Sequence, residues 1–89
     1  MRKCLKTTKD VNRKGYGEIM EICAKIARKN HLMKLSFDID MEVEDVKTRP
    51  AELVTRGIMK DRIEAYIDRA LDMENLDAAI EFEKILLAC

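Results

Sequence analysis

The sequence predicts an α+β protein that is mostly helical, and three observations carry that reading. Apolar residues recur at helical spacing from Tyr16 to Asn30 and again after Pro50. Between them the period changes to two: Leu35, Phe37, Ile39, Met41 and Val43 alternate with Ser36, Asp38, Asp40, Glu42 and Glu44. Only three Gly and one Pro interrupt 89 residues, which favours a few long elements over many short strands.

Taken in order, Met1 to Lys14 is basic and weakly patterned, and reads as a mobile arm or as a short strand around Cys4 to Thr8. The first helix runs from Tyr16 to about Asn30, with Ile19, Ile22, Cys23, Ile26 and Ala27 on one face. Gly15 and Gly17 mark its start, Arg28, Lys29 and His31 suit the negative end of its dipole, and Asn30 supplies its exit. Leu35 to Val43 then forms a half-buried strand with one apolar and one acidic face. Its backbone needs a partner, either the N-terminal segment or another chain.

Thr48-Arg49-Pro50 is expected to start a helix of about 22 residues, because Thr suits an N-cap and Pro is tolerated in the first turn. Leu53, Val54, Ile58, Met59, Ile63, Tyr66, Ile67, Ala70 and Leu71 line its inner side, with Gly57 marking a phase shift or close packing. Asp72 to Asn75 holds a break in which Asp72 or Asn75 supplies the next N-cap. Leu76 to Leu87 forms the last helix, and the short connection folds the two into an antiparallel hairpin. Together these elements make a single small domain.

A chain this short buries only about 60 % of its unfolded surface, so a partner or self-association would help it. Its net charge of zero conceals a separation: residues 1 to 34 hold ten basic residues against three acidic ones, and residues 35 to 89 hold seven against fourteen. Such halves attract each other within a fold, across a dimer or toward separate partners. Cys4, Cys23 and Cys89 lack CxxC spacing and the basic N-terminus lacks a signal peptide's apolar core, so reduced thiols and a cytoplasmic location are expected. No apolar run reaches the roughly 18 residues that span a bilayer.

Chemistry-bearing motifs are sparse. His31 is the sole histidine and sits at a helix end, and Cys23 lies on an apolar helix face where burial as a small hydrophobe is the simpler role. Asp38, Asp40, Glu42 and Glu44 read as a solvated face suited to a basic protein surface, not as a calcium loop, which needs turn glycine and wrapping ligands. The sequence therefore predicts no catalytic residue, no cofactor and no metal site.

The string Ile67-Asp68-Arg69-Ala70-Leu71-Asp72-Met73-Glu74-Asn75-Leu76-Asp77 resembles the IDEAL domain, a helical-hairpin module of Firmicutes and their phages. Ala51-Glu52-Leu53-Val54, the helix through Met59 to Tyr66 and the hydrophobic positions after Asp77 extend the resemblance to about Pro50 to Leu87. Arg69 stands where the name-giving Glu belongs, and Ala79 stands near an expected aromatic, with Phe82 three residues later. The resemblance implies a non-enzymatic bacterial or phage regulatory protein that engages other proteins, and it carries over no catalytic residues.

The expected function is protein interaction, with a partner of unstated identity or by self-association. Two surfaces are nominated: the strand, through Leu35, Phe37, Ile39 and Met41, and the last helix, through Ile80, Phe82, Ile85 and Leu86. One alternative is a nucleic-acid-binding regulator using Lys3, Lys6, Lys9, Arg13 and Lys14, although the overall charge gives it no support. Another is a phage-encoded inhibitor that covers a basic surface of a host protein.

Overall fold

A computed structural model describes residues 12–88. Among the described residues the elements are four α-helices and one short 3-10 turn, and no strand occurs. The helices are α1 (Arg13–Lys29), α2 (Met33–Val46), α3 (Arg56–Asp72) and α4 (Leu76–Ala88), with the 3-10 turn at Ala51–Leu53. The fold is therefore all-helical, not α+β, and the predicted strand from Leu35 to Val43 is the body of α2. The proposed pairing of that strand with Cys4 to Thr8 falls away, and the N-terminal segment itself lies outside the described residues.

The alternating series is compatible with a helix because two steps along a helix rotate by 200°, sending alternate members to opposite sides. Leu35, Ile39 and Val43 form an i, i+4, i+8 row that Val46 extends by three, and all four are buried. Phe37 and Met41 belong to the opposite face and are exposed. A helix also satisfies its own backbone, which a lone strand against α1 would not.

Local signals set the ends. Asn12 caps α1, its side chain accepting from the Gly15 amide at 2.7 Å, so the helix begins before the two glycines. α3 starts later than Pro50 because Pro50 is extended and the 3-10 turn intervenes. Thr55 is its N-cap, accepting from the Ile58 amide at 3.1 Å, and Leu53 is exposed while Val54 is buried.

Both hairpins close through a three-residue connection of the same construction. At the end of α1 the His31 amide donates to the Arg28 carbonyl and the Leu32 amide to that of Ala27. At the end of α3, Glu74 donates to Leu71 and Asn75 to Ala70. Each is a Schellman cap, with His31 (φ 64°) and Glu74 (φ 57°) in the left-handed position usually given to glycine. Asn75 then caps α4 by accepting from the Ala78 amide at 3.1 Å.

The two hairpins, α1 with α2 and α3 with α4, join through α1, which packs on all three other helices. Its Tyr16, Met20, Cys23, Ala24 and Ala27 meet Leu35 and Ile39 of α2, Ile63 and Tyr66 of α3, and Ala78 and Phe82 of α4 in one apolar cluster. The Tyr66 and Phe82 rings lie 6.0 Å apart, and the Tyr66 hydroxyl donates to the Met20 sulfur at 3.4 Å. α2 packs mainly on α1. Among the described residues no element covers its far side, and that side holds the candidate site.

Candidate protein-interaction surface

Opposite its buried row, α2 presents Met33, Phe37 and Met41 at i, i+4 and i+8, with 60 %, 65 % and 57 % of their surface exposed. At 1.5 Å per residue the stripe is about 12 Å long, two turns of unpartnered helix. Large apolar side chains scattered singly on a surface need no explanation, whereas three in register form a patch.

α2 is held in place along both edges by ion pairs. Arg28 of α1 meets Asp40 at 3.2 Å and donates to the otherwise buried Ser36 hydroxyl at 3.1 Å. Across the other edge, Arg69 of α3 meets Asp38 at 2.6 Å.

The C-terminal half of α2 is fixed by a more deeply placed polar network. Tyr16 is fully buried and donates its hydroxyl to Glu42 at 2.8 Å, while Arg49 donates to the same hydroxyl at 3.2 Å and to Glu42 at 3.0 Å. The Arg49 and Glu42 side chains are only 9 % and 11 % exposed. Arg49 also meets Asp45 at 2.6 Å and lies over the Tyr16 ring, 5.6 Å from its centroid, a cation–π distance. Both outer nitrogens of Arg13 donate to the Arg49 carbonyl, at 3.2 and 2.9 Å. Burial and the hydrogen bond to Glu42 push the Tyr16 phenol up to about 12. For Arg49, burial opposes the charge, but the bonds to Asp45, Tyr16 and Glu42 outweigh it and raise its pKa above the ordinary arginine value.

This network pins the linker between the hairpins to α1 and α2. All its members are engaged with one another, so its evident role is to hold the scaffold that displays the stripe.

The hairpin ends are tied together as well. The Asn75 side chain donates to the Asn30 carbonyl at 3.1 Å, and Lys29 meets Glu81 at 2.8 Å. The hydrogen bond from Lys29 holds the Glu81 carboxyl below the usual carboxylate range.

The residues nominated from the sequence separate by this geometry. Phe37, Met41 and Ile80 are exposed, Ile85 and Leu86 are half-buried against the core, and Leu35, Ile39 and Phe82 are buried within it. Leu35, Ile39 and Phe82 therefore build the scaffold, and Phe37 and Met41 remain on one face. Met33 joins them although it precedes the predicted strand; its i, i+4, i+8 spacing with Phe37 and Met41 was the signal that would have found it. On α4, Leu76, Ile80 and Leu87 are exposed instead of Phe82.

Of the basic residues, Lys3, Lys6 and Lys9 lie outside the described residues, Arg13 is engaged with the Arg49 carbonyl, and Lys14 is exposed. No group of three or more His, Cys, Asp or Glu among the described residues is arranged to hold a metal ion. Cys23 is buried in the core. No described helix is long and apolar enough to cross a membrane.

These features define a compact all-helical scaffold that displays an apolar helix face. No family model, curated protein or solved structure matches the chain.

Proposed function

We propose that this chain is a non-enzymatic interaction module, a cytoplasmic regulatory protein of bacterial or phage type. It acts by binding a protein partner, or a second copy of itself, through the outer face of α2. The single observation that carries the reading is the exposed stripe Met33, Phe37 and Met41 on a helix whose opposite face is fully committed to the core. Apolar patches of this kind on small soluble proteins mark interaction sites, and methionine adapts its shape to a partner at little cost. The similarity of residues 67 to 77 to the IDEAL hairpin points to the same class.

Site-specific photocrosslinking in cells tests it. A benzoylphenylalanine at position 37 preserves an aromatic ring on the stripe, and the same group at Glu64, an exposed polar position on α3, is the control. One discrete protein adduct from position 37, absent from position 64, is the expected result. No adduct, or the same adducts from both positions, would remove the α2 face as the contact.

A further inference from the structure

We infer that the outer face of α2 takes a basic amphipathic helix: an apolar stripe flanked by lysine or arginine. The inference rests on the interaction reading above and adds the chemistry of the partner. A straight stripe two turns long on an exposed helix fits another helix laid along it, with apolar side chains at i, i+4 and i+7 meeting Met33, Phe37 and Met41.

Charge specifies the rest. α2 carries five acids against Lys34. Beside Met41 a shallow cleft of about 460 Å³ is lined by Asp38, Met41, Glu42, Glu44, Asp45 and Thr48, four carboxylates and no cation. Asp38, Glu44 and Asp45 keep 47 %, 72 % and 64 % of their side chains exposed even while paired with Arg69, Lys47 and Arg49. Solvent screening keeps the Asp38–Arg69 and Glu44–Lys47 pairs weak, so an arriving lysine or arginine can share or replace them, whereas Glu42 and Asp45 stay committed to Arg49. The same carboxylates carry the wrong sign to attract the phosphates of nucleic acid or of anionic lipid surfaces. A second copy fits this chemistry less well: its exposed apolar residues on α2 and α4 sit on helices of net negative charge, and its basic α1 carries one exposed large apolar residue, Ile22.

Two 20-residue helical peptides test the inference by fluorescence anisotropy against the full 89-residue protein. They share one leucine stripe and differ only in flanks of lysine or glutamate. The lysine peptide is expected to bind at low salt at least tenfold more tightly than the glutamate peptide and to weaken as salt rises. Phe37→Ala and Met41→Ala should each lower its affinity about tenfold with helical circular dichroism unchanged, as for an interface hot spot. Ile80→Ala on α4 should leave it unchanged.

Equal binding of the two peptides, no binding of either, or loss of binding in Ile80→Ala would overturn the inference. So would a dimer in sedimentation that Phe37→Ala dissolves, because the occupant is then a second copy. Absent peptide binding together with a discrete adduct at position 37 would sink the basic-helix chemistry alone. Absence of both would sink the interaction reading with it.

Discussion

Truncating Ile39 and Phe37 to alanine, two residues apart on α2, is the most direct perturbation of the architecture. In the helix Ile39 is fully buried against α1, and Phe37 is 65 % exposed on the other side. Removing a fully buried isoleucine side chain to alanine costs about 3 kcal/mol through lost burial and the cavity left behind. For a domain of this length each kcal/mol lowers Tm by roughly 4 to 8 °C, so Ile39→Ala should fall by roughly 12 to 24 °C. Phe37→Ala removes a side chain already largely in water and places a better helix former on an exposed face, so its effect should stay within about 0.5 kcal/mol. Thermal and urea unfolding followed by helical circular dichroism reads both. On one face of a strand the two residues would share an environment and cost similar amounts. A Phe37→Ala loss approaching that of Ile39→Ala would therefore refute the helical assignment and, with it, the exposed stripe.

Two further outcomes concern the turns and the buried phenol. His31→Gly and Glu74→Gly should each stabilise the protein by about 0.5 to 1 kcal/mol, because glycine relieves the left-handed strain at both Schellman caps by more than its added unfolded-state entropy costs. Urea midpoints measure this, and a loss of stability in either variant would contradict the cap geometry. The Tyr16 phenol is raised from an ordinary value of about 10 to about 12, so the folded state holds its proton more tightly than the unfolded chain does. That contribution is complete below about pH 10 and is lost as pH climbs toward about 12, an effect on the order of 2 kcal/mol. Tyr66, raised in the same direction by burial, adds to the decline. Unfolding curves at pH 8, 10 and 11.5 should show wild type losing stability more steeply than Tyr16→Phe, and parallel profiles would rule out a tightly held Tyr16 proton.

Much of the helical framework is legible in the sequence because its signals are local. The helical period of α1, the exit at Asn30 and the break before Leu76 each depend on residues within one or two turns, whereas Ile22, read from that period onto the inner face, is exposed, and the structure chooses Asn75 over Asp72 as the cap. Thr48 and Pro50 misled for the same reason: they resemble a helix start, but Thr55 makes the cap that forms, and only the path of the linker decides between them.

The candidate surface was half visible. The alternation marks Phe37 and Met41 as contacts but places them beside Leu35 and Ile39. In the helix those pairs face opposite ways. Phe82 shows the reverse case: a large aromatic on a broadly apolar helix looks like an anchor until Tyr66 and the α1 face cover it.

The sequence by itself determined that this is a small, helix-rich chain with a C-terminal hairpin, a divided charge distribution and more apolar surface than so short a chain readily buries. Tertiary structure alone decided that residues 35 to 43 are helical, because a two-residue period is also a pair of four-residue periods and only the packing of α1 against one of them breaks the tie. It also brought Tyr16, Glu42 and Arg49 together across 26 and 33 residues of chain, contacts that no local pattern encodes. The physical reason is common to both: spacing along a chain states which residues share a face, and only the neighbours that fold onto it state which face is covered.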